Sequence, residues 1–470
     1  MSCQESMPVA IVLMMLALAA GTCCAEDKGP LHLLFWQESD IRDGRNVRFE
    51  ANDFNRAERT DLIVSNPDPN KDWRESVYYN PTDAIPFDGG VRIYYLRVDE
   101  STPDYLGKRV WCLGILNNGN LVLPDLGLHP MAGDIGGNVL LQRSSFKQTW
   151  GGFNVFQVVS DPTKGYSLLY WDQPKKGKAG TMIAHSKDGI RWEKEERDTA
   201  IFTERNDAYT LTRDHSEPEW LLYQTHLKPW PDKPYKDNLG SYRRGISIRR
   251  SPDLINWTEQ EIIMEADDHD ALSAEFYLLK VFYYADRYVG LLRIYYADPR
   301  TPYVHSDIIR SELIFSKDGI QWVRPYRYTD IGAWSFASPF EYQGKLCLVA
   351  KHKSSLSLFC TRIDGLACCR ADAEGSFCTR PFVMPAAQLF VNADCRKGLI
   401  SVELLDEWGS IIDNCTGSRC TFRDADKTDL PLKWGRKSTS DYAGRMVHLR
   451  FNMSQARIFS VYSIGDAQLK

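Results

Sequence analysis

The sequence predicts an all-β protein, and three observations lead to that prediction. Three copies of a Ser-x-Asp-x-x-x-Trp segment begin at Ser186, Ser251 and Ser316, so each lies 65 residues after the previous one. The stretches between them are short, rich in β-branched and aromatic residues, and bounded by Gly, Pro, Asp and Asn. No long stretch has the apolar period of an amphipathic helix.

A fixed period of this size indicates a supersecondary unit that repeats. The Ser and Asp of each copy can bond to the backbone of a turn, and the Trp can anchor that turn against a neighbouring sheet. Weaker copies at 116–124 and 361–369 keep the turn chemistry but lack the Trp. Five copies predict a five-bladed β-propeller, with Trp192, Trp257 and Trp322 in equivalent positions.

The chain divides into four parts. Residues 1–25 are predicted to be a signal peptide, because the apolar run at 9–20 is too short to span a bilayer and small residues follow it. Residues 26–70 are predicted to be a strand region that packs on the propeller, which is predicted to cover 71–385. From 386 to 470 the apolar residues alternate with period two, which predicts a small β-sandwich.

Composition limits the class of protein. A length of 470 residues suits a propeller with a smaller module, and an apolar fraction of 43% is sufficient for a core. The net charge of −5 gives no reason to expect nucleic acid as a partner. No segment after the signal is apolar enough for a membrane span, so we expect a secreted, extracellular protein.

Cysteine usage agrees with an oxidising compartment. Three of the 12 Cys lie in the signal, and eight of the remaining nine lie between Cys347 and Cys420. Cys347 and Cys360 flank two neighbouring strand patterns, and Cys415 and Cys420 flank one short turn. We therefore predict at least two disulfides in this region. Zinc or another metal is not expected, because no His stands at ligand spacing.

Three sequons add a further prediction for a secreted protein. Asn256, Asn414 and Asn452 each begin an Asn-x-Ser/Thr sequence and are candidates for glycosylation.

The order of these parts resembles secreted proteins related to glycoside hydrolase family 32, with kinship to families 43, 68 and 117. The resemblance covers the strand region, the repeated turns and the C-terminal module, which opens with LFVNAD at 389–394 and continues with VELLDE at 402–407. It implies a five-bladed propeller that gathers three carboxylates at one end of a central funnel.

The same resemblance assigns the three acids. KDWRESVYYN at 71–80 resembles the N-D-P-N-G-L-I-Y-Y-D opening of the family, which places Asp72 on the catalytic base or nucleophile. RNDAYTL at 205–211 places Asp207 on the stabilising acid, and AEFYLL at 274–279 places Glu275 on the general acid. Cleavage of a glycosidic bond needs one protonated and one ionised carboxyl group. The alternative is that each acid belongs to ordinary turn chemistry.

Other polar residues complete the expected site. Arg243 and Arg293 are candidates for lining a funnel that binds an acidic or sulfated glycan, although such arginines are often solvated or paired with carboxylates. The resemblance also implies an inward-facing histidine in the fifth blade, at His352. No cofactor is expected.

These features predict a secreted hydrolase that cleaves glycosidic bonds in an oligo- or polysaccharide. The alternative is a non-catalytic extracellular carbohydrate-binding or matrix protein on the same fold. A sialidase is less favoured, because Gly directly follows Asp in two copies of the repeat and no set of three arginines with a tyrosine nucleophile is evident.

Overall fold

The structure of the protein is a computed structural model. It describes residues 31–64, 77–99, 108–129, 136–146, 153–161, 165–203, 208–235, 237, 239–297, 308–353 and 355–464, without the side chains of 108, 161 and 308. The described residues form 33 β-strands, and the only helical elements among them are short 3-10 turns at Glu38–Asp40, Phe54–Arg56, Gly417–Arg419 and Thr439–Tyr442. The chain is all-β, as predicted.

Four strands precede the propeller in the chain: β1 (His32–Leu34), β2 (Ile41–Arg45), β3 (Arg48–Ala51) and β4 (Glu58–Ile63).

Blades 1 to 4 follow in sequence order. Blade 1 contains β5 (Val77–Phe87), β6 (Gly90–Asp99), β7 (Lys108–Asn117), β8 (Asn120–Val122) and β9 (Val139–Gln142). Blade 2 contains β10 (Asn154–Asp161), β11 (Gly165–Asp172), β12 (Gly180–Ser186) and β13 (Glu193–Lys194). Blade 3 contains β14 (Tyr209–Arg213), β15 (Trp220–Pro229), β16 (Tyr242–Ser251) and β17 (Glu261–Met264). Blade 4 contains β18 (Ala274–Tyr284), β19 (Arg287–Tyr296), β20 (Ile308–Ser316) and β21 (Trp322–Val323).

Blade 5 closes the ring with a strand from the start of the chain. Its sequential strands are β22 (Phe340–Tyr342), β23 (Lys345–His352) and β24 (Ser355–Arg362), and β4 pairs antiparallel with β24 as the fourth strand. The five antiparallel sheets confirm the predicted five-bladed propeller. Because the last blade combines distant parts of the chain, the ring is held closed by strand pairing.

The remaining strands build the sandwich module. They are β25 (Ala367–Thr379), β26 (Phe382–Val383), β27 (Leu389–Asp394), β28 (Leu399–Asp406), β29 (Thr421–Arg423), β30 (Asp426–Pro431), β31 (Lys433–Trp434), β32 (Lys437–Ser438) and β33 (Met446–Ser463).

The division between the two parts differs from the predicted one. β25 lies before the expected boundary at 385, but it pairs with β33 in the ten-stranded sheet of the sandwich. β1, β2 and β3 belong to that same sheet. The propeller therefore ends with β24, and only β4 of the N-terminal region is part of a blade.

The repeated turn has one structure in all three copies. It joins the third and fourth strands of blades 2, 3 and 4, and in each copy the Ser hydroxyl donates to the Asp carboxylate and accepts the backbone N–H three residues on. The Trp indole N–H donates to the carbonyl of the fourth turn residue, at Gly189, Leu254 and Gly319. The predicted equivalence of the three Trp is confirmed.

The inner strands are joined to one another by polar side chains near the propeller axis. The two oxygens of Asp83 in blade 1 accept the backbone N–H groups of Ala84 and Val158, each at 3.0 Å. Gln157 of blade 2 accepts the N–H of Leu211, and Thr210 of blade 3 donates to the carbonyl of Leu279. These bonds fix the inner strands around the axis, while apolar clusters fill the space between blades.

Candidate functional site

A cavity of about 410 Å³ lies at the end of the propeller at which the inner strands begin. We call it the mouth pocket. It lies between blades 4, 5 and 1, and its lining residues are Asn80, Pro81, Arg293, Ile309, Ser311, Asp330, Gly332, Ala333, Trp334, Ser335, Phe336, Lys351, Lys353 and Phe359.

Arg293 is the sequence-predicted residue that lies in the mouth pocket. It stands on β19 opposite Leu278, and its guanidinium carbon lies 5.1 Å from the centre of the Trp334 ring. The indole N–H of Trp334 donates to the carbonyl of Leu291 at 2.9 Å, which fixes the ring below the guanidinium. Burial lowers the pKa of Arg293 from its ordinary value.

The other charges of the pocket come from blade 5 and from the loop before it. Lys351 and Lys353 line the pocket, and the Lys351 ammonium lies 4.0 Å from the centre of the Tyr78 ring of blade 1. The carboxylate of Asp330 accepts the backbone N–H groups of Ser311 and Gly332 at 3.1 and 3.0 Å. The lining residues that the structure describes therefore include three basic residues and one acidic residue.

Glu275 lies elsewhere, inside an ion cluster that no solvent reaches. Lys233 donates to one of its oxygens and Arg244 to the other, both at 2.6 Å, and the Tyr235 hydroxyl donates at 2.9 Å. Asp237 pairs with Lys233 at 2.7 Å, so the described part of the cluster contains two acids and two bases. These four charged side chains are 0–3% exposed.

This arrangement corrects the role predicted for Glu275. A general acid must reach the leaving oxygen of the substrate. Both oxygens of Glu275 are bonded to cations and the residue is fully buried, so it cannot contact a bound sugar. The acidic position was predicted from the sequence, but the two bases that neutralise it were not.

Arg243 is also a structural residue. Its guanidinium donates twice to the carbonyl of Ala274, at 2.9 and 3.2 Å, and lies 4.9 Å from the centre of the Trp230 ring. These contacts fix the first residue of β18. Arg243 does not line the mouth pocket, contrary to the expectation that it binds glycan there.

His352 does not face the pocket either. Side chains alternate along a strand, so His352, the last residue of β23, faces away from Lys351, which lines the pocket. Lys353 lies in the turn that follows β23 and also lines the pocket. The His352 ring instead contacts the Arg59 guanidinium at 2.8 Å. Burial and the charge of Arg59 lower the pKa of His352. The prediction of an inward histidine is corrected to a pair of inward lysines.

The remaining two predicted acids, Asp72 and Asp207, lie outside the described residues. In the sequence, Asp72 stands five residues before β5 and Asp207 two residues before β14. Both therefore precede an inner strand of the propeller. Their assignment as base and stabilising acid stays a prediction.

A buried pair near the axis was not predicted from the sequence. Asp83 on β5 and Lys280 on β18 are 7% and 2% exposed. Burial raises the pKa of Asp83 to about 6, although Lys280 and the two backbone N–H groups oppose this shift. Burial also lowers the pKa of Lys280, and the charge of Asp83 acts against that. Acids are common in this chain, so only the fold distinguishes Asp83 from the others.

The cysteines form one disulfide among the described residues, between Cys347 and Cys360 on the paired strands β23 and β24. The second predicted pair is not formed: Cys415 and Cys420 are buried free thiols, and the Cys415 sulfur lies 3.0 Å from the Tyr442 hydroxyl. Closeness in sequence did not bring these two sulfurs together. Other described free thiols are Cys112, Cys368, Cys369, Cys378 and Cys395.

The sequons differ in accessibility. Asn256 and Asn414 are exposed, whereas Asn452 is half-buried in β33. No group of three or more His, Cys, Asp or Glu in the described ranges could hold a metal ion. No helix within those ranges is long and apolar enough to cross a membrane.

Comparison with known proteins finds similarity at the level of structure. No protein-family model matches the sequence, and no curated protein matches it. Solved structures that are similar include the Bombyx mori GH32 beta-fructofuranosidase (10% identity, 84% of this chain and 94% of that chain, TM-score 0.40). Others are a beta-1,2-mannobiose phosphorylase from Listeria innocua (10% identity, 62% and 91%, TM-score 0.42) and a glycosyl hydrolase from Bacteroides ovatus (11% identity, 71% and 94%, TM-score 0.40).

These similarities agree with the resemblance noted in the sequence. At such identities and TM-scores, however, no residue role can be transferred to this chain. The propeller assignment rests on the five sheets themselves, and the chemistry must be argued from the side chains of this chain.

Proposed function

We propose that this protein is a secreted hydrolase that acts on glycans and binds its substrate in the mouth pocket. The observation that supports this proposal is the pocket itself. Its volume of about 410 Å³ is within the range of small-molecule sites. It combines aromatic side chains with convergent hydrogen-bond donors, which are the groups that fix the orientation of a sugar.

Hydrolysis needs two carboxyl groups, one to protonate the leaving oxygen and one to activate water or attack the sugar. Because Glu275 is sequestered, we assign this pair to Asp72 and Asp207, which precede the inner strands of blades 1 and 3 in the sequence. Asp72 is proposed as the base or nucleophile, as the sequence resemblance suggests. Asp207 is then proposed as the proton donor.

Export from the cell is the second part of the proposal. The apolar segment at 9–20 is typical of a signal peptide. The disulfide between Cys347 and Cys360 supports an oxidising compartment, because such bonds are rare in reducing ones. The exposed sequons Asn256 and Asn414 would accept glycans in a eukaryotic secretory pathway.

A second candidate is a non-catalytic glycan-binding protein with the same pocket. The sequestration of Glu275 favours it, and so does a second way to superpose the family opening on blade 1. Pro81 matches the Pro of N-D-P-N-G-L-I-Y-Y-D, and Asp88 matches its last Asp. This places Asn80, which lines the pocket, where the family has its catalytic Asp. An amide cannot act as base or nucleophile.

One experiment separates the two candidates. The secreted protein is tested against a panel of oligosaccharides for both binding and release of reducing sugar, together with Asp72→Asn, Asp207→Asn and the exposed control Asp268→Asn. We expect hydrolysis that both active-site variants lose by about 10²-fold or more while they still bind. Binding without hydrolysis by the unmodified protein would support the second candidate. Absence of both would contradict each.

A further inference from the structure

We propose that the mouth pocket selects a negatively charged sugar, one that carries a carboxylate or a sulfate, and that Arg293 determines this selectivity. The inference rests on the proposed function, because it names the substrate class of the same pocket.

The main observation is that the Arg293 guanidinium has no charged partner among the described residues. Among the described residues, its guanidinium has no hydrogen-bond acceptor and no carboxylate partner, and its Nε is buried. Its contact is the face of Trp334. Arg293 is half-buried, and a charge that has lost part of its hydration without gaining a partner is costly, so an anionic ligand would supply what the fold does not.

Other buried arginines of the propeller are treated differently. Arg244 pairs with Glu275 at 2.6 Å, and Arg287 pairs with Asp40 at 2.7 Å. Arg324 pairs with both Asp270 and Glu312 at 2.8 Å. A carboxylate is thus the usual partner of an arginine in this core. Arg293 lacks one among the described residues, and it lines the mouth pocket.

The other charged side chains of the lining are mostly positive, like Arg293. Lys351 and Lys353 add two further cations. Asp330, the acid among the described lining residues, already accepts two backbone N–H groups and forms part of its own turn. Basic residues thus outnumber acidic ones in the described lining, although the whole chain has a net charge of −5.

The ligand chemistry follows from the guanidinium. Its planar, forked donors match the two oxygens of a carboxylate or of a sulfate and form charge-assisted hydrogen bonds to either. The ring of Trp334 is covered by Arg293 and is only 9% exposed, so it positions the arginine and is not a platform for the sugar. Phe336 is half-buried and also lines the pocket, where its ring can contact the sugar.

The test uses matched probes that differ in charge. Calorimetric binding is measured for trigalacturonic acid and its methyl ester, and for a sulfated galactan oligosaccharide and its desulfated form. The first pair tests a carboxylate and the second a sulfate. We expect at least one anionic member to bind at least about tenfold more tightly than its neutral counterpart, with an affinity that falls as salt concentration rises.

Variants then assign the effect to one residue. Arg293→Met keeps an unbranched side chain over Trp334 and should weaken binding of the anionic probe about 10- to 100-fold. Arg293→Lys should restore part of the loss, because the charge returns without the forked geometry. The control is Arg310→Met on β20, whose exposed guanidinium lies over Tyr296 outside the pocket and should have no effect. Thermal melting confirms that each variant is folded.

The outcomes separate this inference from the proposed function. Equal affinity for neutral and charged probes, no binding of any probe, or an unchanged affinity in Arg293→Met overturns the inference. Hydrolysis of a neutral glycan that survives Arg293→Met leaves the proposed function in place while the inference fails. Binding of an anionic probe that depends on Arg293, without any hydrolysis, supports the inference and removes the hydrolase.

Discussion

Glu275 and Arg293 stand on the adjacent strands β18 and β19 of one blade, but the fold treats their charges in opposite ways. Glu275 accepts hydrogen bonds from Lys233, Tyr235 and Arg244, inside a cluster whose described members include two acids and two bases. Arg293 lies against Trp334 with no acceptor among the described residues. A charge that the protein satisfies internally contributes to structure, whereas one that it leaves unsatisfied beside a cavity is available to a ligand.

The largest expected effect comes from breaking the satisfied cluster. Glu275→Gln removes one negative charge and leaves Asp237 as the remaining carboxylate partner of Lys233 and Arg244 among the described residues. Removing one partner of a buried pair destabilises a protein by about 3–5 kcal/mol. We expect a clear fall of the melting temperature, measured by calorimetry. The control Glu265→Gln breaks a partly exposed pair with Lys228 and should change stability by less than about 1 kcal/mol.

That experiment also examines the general-acid assignment. If Glu275→Gln melts like the unmodified protein but loses hydrolysis, Glu275 contacts substrate after all. In that case the contrast between the two charges would be wrong.

The pair of Asp83 and Lys280 lies between these extremes, because it is buried but only partly compensated. The pKa of Asp83 is raised to about 6, above its ordinary value of about 3.9. Between about pH 4 and 6 the folded state therefore holds a proton that the unfolded state has lost. Stability falls as pH rises through this window, by about 2–3 kcal/mol in total.

The measurement compares pH profiles of unfolding, since other groups titrate in the same range. Asp83→Asn cannot titrate, so its profile should be flatter than that of the unmodified protein between pH 4 and 6. Parallel profiles would mean that Asp83 is ionised across the window and that Lys280 compensates it fully.

Loss of a hydrogen bond between two neutral groups should lower the free energy of unfolding by less than loss of a buried charge. The buried hydroxyl of Tyr223 in blade 3 donates to the carbonyl of Gly319 in the repeated turn of blade 4, at 2.9 Å. Tyr223→Phe should cost about 1 kcal/mol, because one hydrogen bond is lost while the Gly319 carbonyl still accepts the indole N–H of Trp322. Tyr94→Phe removes the equivalent bond to Gly189 and should cost about the same. Tyr328→Phe, on an exposed ring, is the control, and a loss as large there would show that the bonds between blades contribute nothing specific.

The sequence predicted the blades because the information for them is local. Each Ser-x-Asp-x-x-x-Trp turn closes its own hydrogen bonds within seven residues, as at Ser186 to Trp192. The pairing of β4 with β24 and the membership of β25 in the sandwich could not be read in this way. In both cases the paired strands, β4 with β24 and β25 with β33, are far apart in the chain. No Ser-x-Asp-x-x-x-Trp turn marks these pairings in the sequence.

The site was only partly predictable for a similar reason. Sequence reasoning identified Glu275 and Arg293 as charged residues of blade 4 that could belong to a site. Whether the charge of Glu275 is neutralised depends on Lys233 and Arg244, which stand 42 and 31 residues before it. The period-two alternation of β23 could have shown that Lys351 and His352 face opposite sides of the strand.

The smallest expected effect on stability comes from the charge that the fold does not satisfy. Arg293→Met exchanges an uncompensated guanidinium for an apolar side chain of similar length against Trp334. We expect the free energy of unfolding to change by no more than about 1 kcal/mol, or to rise, because replacement of a buried charge by a well-packed apolar group is often neutral or stabilising. Denaturant unfolding measures the change, and Arg244→Met, which removes a paired arginine of the same core, is the matched control. That control should lose about 3–5 kcal/mol, because Glu275 would lose one of its two cations. Equal losses in the two variants would show that Arg293 is held by the fold as firmly as Arg244, and its charge would then not be available to a ligand.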